Sequence, residues 1–297
     1  MAIVAWDFVI PHFNELMLSL ELTTAQRSDA ETKCDGIARK VWTTFWSDNA
    51  VFDPTYYAIV GGYGKRTAIR PPTDVDVAVQ LPPAVLTQVE SVQGNKQSYL
   101  LRLVKDAILA RHPGTNITQD GQVVVVSFGT YLVEVLPFFF DRTWGTWRFP
   151  DTNAGGRWRI CKPLEEVANL DTADQASVGK ARHLARLMKA WKRECSVPVE
   201  SFVLELIACA FVAGWQYRYK TFFYYDWMIR DFFEYLITAT NRVVNVPGSA
   251  EYVTTGDAWK SRAESAFSRA LKACAAEHVN NEAEARIEWR KIFGIHI

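Results

Sequence analysis

Residues 61–81 read GGYGKRTAIRPPTDVDVAVQL. The last third of this stretch alternates polar and apolar residues, which predicts a half-buried β-strand. On a strand, residues i and i+2 point to the same face. Asp74 and Asp76 are therefore expected to project side by side, with the valines around them buried behind the strand.

The two aspartates and the glycine turn before them indicate one kind of chemistry. Adjacent carboxylates repel each other unless a positive charge lies between them. Mg²⁺ is usually held by one or two carboxylates together with substrate phosphates. The glycines at the start of the stretch let backbone N–H groups approach phosphate oxygens, because no Cβ stands in the way. The combination predicts phosphoryl or nucleotidyl transfer.

Each half of this pattern has an ordinary structural explanation when it occurs alone. An Asp-x-Asp pair is common on solvated strand ends, and Gly-Gly-x-Gly is an ordinary turn. Here the two occur in order, and the apolar segment 56–60 before the turn is itself typical of a strand. The combination favours the interpretation as a nucleotide-transfer site.

The same residues resemble a known signature. Gly61-Gly62 followed by Asp74-x-Asp76 resembles the polymerase-β-type nucleotidyltransferases. The longer stretch resembles more narrowly the cGAS/DncV-like nucleotidyltransferases (CD-NTases) of bacteria, which make cyclic oligonucleotide second messengers in anti-phage (CBASS) defence. The usual family turn is Gly-Ser, so the replacement by Gly62 removes a hydroxyl contact to phosphate and leaves a backbone contact. The resemblance is strongest over residues 60–82, 131–138 and 180–205.

The resemblance implies a fold and an activity. The fold would be α+β and bilobed, with a polymerase-β-like mixed-sheet catalytic core over residues 1–165, a C-terminal helical lobe over residues 166–297, and the active site in the cleft. A ribose hydroxyl would attack the α-phosphate of a nucleoside triphosphate and release pyrophosphate. A second round would close a cyclic di- or trinucleotide.

The resemblance also implies cofactors and partners. Two Mg²⁺ ions, with Mn²⁺ as a substitute, would serve catalysis. The substrates would be ATP, with GTP or a pyrimidine nucleoside triphosphate as further candidates, and a downstream effector would act through the product.

A third carboxylate is needed on a neighbouring strand, to hold the metal that activates the attacking hydroxyl. Glu134 is the one acidic residue in the apolar segment YLVEVLPFF, where an unpaired buried carboxylate would be costly. The alternative is that it faces solvent on an edge strand. The Val-Leu-Pro that follows Glu134 matches the family's carboxylate strand, which implies that Asp74, Asp76 and Glu134 are the catalytic and metal-binding residues.

A basic stripe lies on the helix predicted around residues 180–194. Its members are Arg182, Arg186, Lys189 and Arg193. Spacing alone favours a solvated helix face. The resemblance instead implies that a lysine of this helix and a serine before the next helix contact the triphosphate, and these are Lys189 and Ser201. Phe202 stands where some family members place a base-stacking aromatic, although a phenylalanine that opens an apolar helix is more often core.

Further nucleotide contacts are expected from the glycine turn and from one aspartate. The backbone of Gly61, Gly62 and Tyr63 would meet phosphate oxygens. Lys65 would meet them through its side chain, with an exposed loop charge as the alternative. The segment FPDTNAGGRWRICKP resembles a family segment that borders the nucleotide pocket, which makes Asp151 a candidate contact to the base or ribose.

The remaining pattern gives the order of elements. Apolar periodicity predicts helices over about 13–20, from the cap Thr23-Thr24 to about 46, and over about 99–108. Two strands, 122–128 and 131–138, flank Gly129-Thr130 and predict a hairpin. Residues 141–163 are expected to form a loop, and the chain beyond about 170 is expected to be nearly all helix.

Composition limits the other possibilities. The chain has 297 residues and 49% apolar content, enough for two domains or one bilobed unit. Equal numbers of basic and acidic residues, 33 each, argue mildly against long nucleic acid as a partner. The five cysteines lack the spacing of a zinc knuckle or a disulfide framework. No signal peptide or membrane span is predicted, so a cytoplasmic monomer is expected.

Two alternatives stay open on the sequence alone. The first keeps the fold and changes the acceptor to an RNA, as in tail-adding enzymes, or to a protein hydroxyl, as in antitoxin-like transferases. The second is a protein that binds nucleotide or RNA without catalysis. Three intact carboxylates argue against the second, because a protein without catalysis has no use for their mutual repulsion.

Overall fold

The computed structural model describes residues 8–46, 51–111, 113–249, 251–294 and 297. The helices, in chain order, are α1 (Val9–Leu20), α2 (Thr24–Phe45), α3 (Gly61–Gly64), α4 (Pro83–Glu90), α5 (Lys96–Leu109), α6 (Pro163–Ala176), α7 (Lys180–Glu194), α8 (Ser201–Gly214), α9 (Tyr225–Thr238), α10 (Lys260–His278) and α11 (Glu282–Phe293). The strands are β1 (Tyr57–Ile59), β2 (Asp74–Gln80), β3 (Ile117–Asp120), β4 (Val123–Ser127), β5 (Leu132–Asp141), β6 (Thr146–Asp151), β7 (Arg157–Cys161), β8 (Val243–Asn245) and β9 (Tyr252–Thr254).

The described chain divides into two compact units. One comprises residues 22–165, and the other comprises residues 8–21 together with 166–297. The expected division placed the N-terminal helix with the catalytic half, but α1 packs among the C-terminal helices. The ring of Phe13 lies 5.4 Å from that of Trp289 and 6.2 Å from that of Tyr225, measured between centroids. Apolar contacts of α1 therefore decide where it belongs.

The unit of residues 22–165 is built on a mixed sheet. Among the described residues its strands follow the order β1-β2-β5-β4-β3, and β6 and β7 continue from the far end of β5. Only the pairing of β2 with β5 is parallel within this sheet. A parallel pair needs a long crossover, which α4, α5 and the β3–β4 hairpin supply. The predicted α+β class is confirmed, and so is the predicted pairing of β4 with β5.

The core of this unit lies on one face of the sheet, under α2 and α5. On β2 the valines at alternate positions are buried, as predicted: Val75, Val77 and Val79. Strand β5 adds Val133 and Val135 to the same cluster. Because side chains alternate along a strand, the intervening residues of β2 and β5 project from the opposite face of the sheet.

Helix α2 begins at the predicted cap. The Thr23 hydroxyl oxygen accepts from the backbone N–H of Gln26 at 3.1 Å, and the Gln26 side chain accepts from the Thr23 N–H at 2.9 Å. This reciprocal pair is a capping box. It fixes the first turn of the helix that covers the sheet.

Two expectations for the second half of the chain were wrong. Residues 141–163 hold the antiparallel strands β6 and β7 rather than a loop. Trp147 of β6 stacks on Phe138 of β5 with 3.9 Å between ring centroids, so tertiary packing stabilises strands that short-range pattern does not reveal. The helical unit also contains the small antiparallel hairpin β8–β9.

The second unit is otherwise helical. Helix α10 packs on both α9 and α11, and α7 packs on α1, α8 and α11. The predicted apolar face of α7 is buried throughout: Leu184, Leu187, Met188 and Trp191. Within the described part of the chain, no helix combines the length and apolarity that crossing a membrane requires.

Candidate active site

Three carboxylates lie on two neighbouring strands. Asp74 and Asp76 are the first and third residues of β2, and the parallel register sets Asp76 directly opposite Glu134 of β5. Strand β5 lies inside the sheet, between β2 and β4, so the alternative of an edge-strand position for Glu134 is wrong. Since opposite residues share a face, all three carboxylates belong to the face away from the valine core.

The electrostatics of this cluster indicate a missing positive charge. Burial raises the pKa of Glu134 to about 7, and the negative charges of Asp76, Asp74 and Asp120 contribute to the rise. The Glu134 and Asp76 carboxyl groups also lie within hydrogen-bonding reach of each other. Two carboxyl groups can bond in this way only if they share a proton, so the cluster binds either a proton or a cation.

The donor set fits a hard divalent cation. It consists of carboxylate oxygens from Asp74, Asp76 and Glu134, with no sulfur or imidazole nitrogen among the predicted ligands. Oxygen ligands of this kind suit Mg²⁺ and Mn²⁺. The half-buried position lets substrate phosphates complete the coordination, as Mg²⁺ sites commonly require.

The glycine turn lies against one of these carboxylates. Gly61 has φ +56°, and a Cβ added there would stand 1.7 Å from Oδ2 of Asp76. The N–H of Val60 donates to the backbone oxygen of Asp76 at 2.9 Å. Only glycine fits between the turn and the carboxylate, because any side chain would displace the Asp76 oxygen.

The turn continues as the short helix α3. Gly64 is equally constrained, since a Cβ there would lie 2.3 Å from the carbonyl oxygen of Ile59. The N–H groups of Gly64 and Lys65 donate to the carbonyls of Val60 and Gly61, each at 3.0 Å. The earlier N–H groups of a helix have no intrahelical acceptor, so this backbone can offer donors to an anion.

The side chains of Tyr63 and Lys65 at this turn point inward. Lys65 is 8% exposed, so the alternative of an exposed loop charge is wrong. Tyr63 packs on the core of the sheet, and its hydroxyl oxygen is buried without a hydrogen-bond partner among the described residues. Burial raises the pKa of Tyr63 to about 12. The contribution of Gly61, Gly62 and Tyr63 to a ligand would therefore come from their backbone.

Asp151 is held in a local network at the end of β6. Its Oδ2 accepts from Arg157 Nε at 2.9 Å, and its Oδ1 accepts from the side chain of Asn153 at 2.8 Å. Burial alone would raise its pKa, but the bonds from Arg157 and Asn153 outweigh this and keep the pKa below its ordinary value. The carboxylate is thus satisfied by the β6–β7 turn, and its contact with a base or ribose stays a prediction.

Lys189, Ser201 and Phe202 lie in the helical unit. The Lys189 ammonium is 2.7 Å from Oε1 of Glu205, and both side chains are largely buried. Ser201 is the first residue of α8, and its hydroxyl accepts from Lys192 at 3.2 Å. Phe202 is half-buried beside it. The lysine and the serine are thus each held by another side chain of α7 or α8.

The basic stripe of α7 is not a solvated face. Arg182 bonds Asp171 and Asp174 of α6, and Arg186 lies 3.1 Å from Glu21. Lys189 is paired to Glu205, so these cations have carboxylate partners within the described part of the chain. The expectation of a solvated stripe, based on spacing alone, was wrong because the partners come from distant parts of the sequence.

One acidic residue of the site was missed on the sequence. Asp120 ends β3 and its charge acts on Glu134. The register explains this, because Val125 pairs with both Thr118 and Glu134. Asp120 lies two residues after Thr118 on β3, so it shares the face of Glu134. The Asp120-Gly121 dipeptide is a hairpin signal that would have predicted β3, and with it a fourth carboxylate near the cluster.

Comparison with known proteins identifies the family. The model of the Second Messenger Oligonucleotide or Dinucleotide Synthetase domain matches residues 9–173, which is more than half of the chain. The chain belongs to this family. The predicted resemblance to cGAS/DncV-like nucleotidyltransferases is confirmed, and so is the predicted class of enzyme, a nucleotidyltransferase that makes cyclic oligonucleotides.

A curated relative covers about four fifths of the chain, and similar solved structures cover nearly all of it. A probable cyclic nucleotide synthase of Bacillus cereus strain VD146 is 22% identical, and the match covers 79% of this chain and 80% of the relative's length. The structure of the Vibrio cholerae cyclic AMP-GMP synthase DncV has a TM-score of 0.77 at 13% identity, covering 97% of this chain and 95% of that one. Escherichia coli MS115-1 CdnC, solved with ATP, has a TM-score of 0.66 at 20% identity, covering 97% and 98%. The likeness to these solved structures confirms the predicted polymerase-β-like fold.

Proposed function

We propose that this synthetase joins nucleoside triphosphates into a cyclic di- or trinucleotide by two-metal nucleotidyl transfer, with Asp74, Asp76 and Glu134 as the metal ligands. The observation that carries the proposal is the register of β2 and β5, which sets Asp76 opposite Glu134 with the turn at Gly61 packed against it. The carboxylates thus lie beside the backbone of the turn, which is the phosphate site of this proposal.

Each group of this site has a separate task. Mg²⁺ or Mn²⁺ held by the three carboxylates would lower the pKa of the attacking hydroxyl and offset charge on the phosphates. Asp74 and Asp76 would serve the side of the donor triphosphate, and Glu134 would serve the side of the attacking ribose hydroxyl. The backbone N–H groups at the start of α3 would orient the phosphates.

Lys189 and Ser201 are proposed to complete the donor site. The ion pair of Lys189 with Glu205, at 2.7 Å, supports a fixed position for the ammonium. The ammonium would then act on the triphosphate as a point charge. Ser201 would contribute its hydroxyl, and Phe202 would stack on the base. Asp151 is proposed as the further contact to base or ribose.

The substrates and the biological setting are inferred from relatives. The CdnC structure solved with ATP and the name of the DncV enzyme as a cyclic AMP-GMP synthase support ATP, with GTP or a pyrimidine nucleotide as second substrate. We place the enzyme in CBASS anti-phage signalling, where the product would act on a separate effector. A cytoplasmic monomer fits this role.

The test is a product assay. The purified chain is incubated with all four labelled nucleoside triphosphates and Mg²⁺ or Mn²⁺, and the mixture is treated with phosphatase and separated by chromatography. The proposal expects a phosphatase-resistant cyclic product that disappears with EDTA and in the Asp74→Asn/Asp76→Asn variant. A linear tail on added RNA, or label on protein, would instead establish one of the alternative acceptors. Absence of any incorporated label, with nucleotide still bound, would establish a binding protein.

A further inference from the structure

A second cluster of potential metal ligands lies in the helical unit, away from the carboxylates of the sheet. Asp226 lies in the first turn of α9, and Cys274 and Glu277 lie three residues apart on α10. Residues three apart share a helix face, and α9 packs on α10. One ligand atom from each of the three side chains lies within 4.8 Å of the other two.

The burial of this cluster calls for a positive charge. Asp226 is 0% exposed and Glu277 is 1% exposed. Both oxygens of Asp226 and Oε2 of Glu277 are buried and make no hydrogen bond of good geometry among the described residues. The backbone N–H of Trp227 lies near Asp226, and Asp226 and the Cys274 thiol lie near Glu277. Buried carboxylates are costly unless they are paired or coordinate a metal. Glu277 is also near the C-terminus of α10, where the helix dipole disfavours negative charge.

The surrounding side chains leave this charge largely uncompensated. Trp289 of α11 donates its indole N–H to Oε1 of Glu277 at 2.7 Å, which orients that carboxylate but adds no charge. The nearby cation, Arg230, donates to Oδ1 of Asp231 from Nε at 2.8 Å and from Nη2 at 2.7 Å. Three buried oxygens therefore face one another and a thiol.

We propose that Asp226, Cys274 and Glu277 bind a structural Zn²⁺ ion that ties α9 to α10. A thiolate with two carboxylates is a mixed sulfur and oxygen donor set, which suits Zn²⁺ and disfavours Mg²⁺ and Ca²⁺. Tetrahedral zinc with ordinary bond lengths needs ligand atoms about 3.3–3.8 Å apart. Side-chain rotations that move the ligand atoms by roughly 1 Å would bring them to this separation. A water molecule would take the fourth position, reached past the half-buried Cys274. The Trp289 indole would hold Glu277 in place, as partners of metal-binding carboxylates commonly do.

Zinc binding releases a proton and changes the net charge of the cluster. The Cys274 thiol loses its proton to solvent when zinc binds. Three negative ligands and one Zn²⁺ leave a single negative charge, which the adjacent Arg230 offsets in part. Without a cation the alternative is a proton shared between the two carboxyl groups, since burial raises the pKa of Glu277 to about 7.

The experiment separates this site from the catalytic carboxylates and does not depend on product formation. The untagged chain carrying Asp74→Asn/Asp76→Asn is purified from zinc-supplemented medium, and its metal content is measured by mass spectrometry. We expect about one zinc per chain. In Cys274→Ser, the zinc content per chain should be lower by about tenfold or more. The matched control is Cys195→Ser, a half-buried cysteine of the same unit whose thiol donates to the backbone carbonyls of Lys291 and Ile292. This variant should keep its zinc.

A second measurement covers the case in which Cys274→Ser does not fold. The Cys274-containing chain, stripped of zinc and loaded with Co²⁺, should show a thiolate-to-cobalt absorption band and a higher Tm than the metal-free chain. Less than about 0.1 zinc per chain, no cobalt–thiolate band and no rise in Tm would overturn the proposal. Those results would assign the shared proton to the carboxyl pair, and the proposed nucleotidyl transfer would be unaffected.

Discussion

Glu134→Gln is expected to raise the stability of the metal-free protein and to lower product formation. A rise in pKa from 4.5 to about 7 corresponds to about 3.4 kcal/mol at 1.36 kcal/mol per pH unit. Glu134 is only half-buried, and solvent screening reduces the penalty of the ionised form to roughly 1–2 kcal/mol. Glutamine keeps the shape and removes the charge, so the variant avoids this penalty.

The sign of the pH dependence follows from linkage. The pKa of Glu134 is higher in the folded protein than in the unfolded chain, so the folded state holds the proton more tightly. The resulting stability is complete below about pH 4.5 and is lost as the pH rises through about 7. In EDTA, wild type and Glu134→Gln should therefore unfold alike near pH 4.5. At pH 8 the variant should have the higher free energy of unfolding.

Thermal unfolding at the two pH values, with and without Mg²⁺, is the assay. At about 2–4 °C per kcal/mol, Tm of Glu134→Gln in EDTA at pH 8 should exceed the wild-type Tm by roughly 2–8 °C. Mg²⁺ should stabilise wild type more than the variant, and product formation by the variant should fall by orders of magnitude. The control is Glu31→Gln, at an exposed glutamate on α2 in the same unit. It should change neither the Tm at pH 8 nor product formation. Equal Tm values in EDTA at pH 8 would contradict the repulsion at Glu134, and normal turnover in Glu134→Gln would show that Glu134 is not a metal ligand.

Three further substitutions test other parts of the site. Gly61→Ala should lower both Tm and turnover, because its Cβ would displace the Asp76 oxygen 1.7 Å away; Gly36→Ala, with open space around it on α2, should raise Tm slightly through helix propensity. Asp76→Asn should abolish product without lowering Tm in EDTA, and a turnover close to wild type would contradict the metal assignment. Lys189→Ala should raise KM for nucleotide more than it lowers kcat and should destabilise the fold by about 3 kcal/mol, because it removes the ammonium from the buried carboxylate of Glu205. Adding Glu205→Gln should restore stability and leave KM high; unchanged kinetic constants in Lys189→Ala would show that the pair is only structural.

The part of the site that lies close together in the sequence was predictable. Period-2 alternation on β2 fixed which side chains face the core and which face away, and Thr23 with Gln26 gave the start of α2. These features depend on neighbours within a few residues, which is the range that pattern reasoning covers. Glu134 was found because a carboxylate inside an apolar strand is costly without a partner.

The parts that were missed depend on distant contacts. Strand β6 is stabilised by Trp147 stacking on Phe138, and no local pattern reveals that pair. The carboxylates that neutralise the α7 stripe come from Glu21, Asp171 and Glu205, across several helices. The N-terminal helix α1 was assigned to the wrong unit for the same reason, since its amphipathic pattern shows that one face is buried but not what covers it.

The repulsion among Asp74, Asp76 and Glu134 also bears on where they lie in the fold. Asp76 and Glu134 belong to adjacent interior strands, and their neighbours Val75, Val77 and Val133 are fully buried on the other face. That core holds the backbone in place while the carboxylates repel each other. The free-energy cost of the repulsion is therefore confined to the site, and the sheet is not distorted. Any cation that relieves the repulsion binds the folded state and not the unfolded chain, and it therefore raises the free energy of unfolding. If substrate phosphates complete the coordination of that cation, metal and nucleotide should stabilise the unit of residues 22–165 together more than the sum of their separate effects.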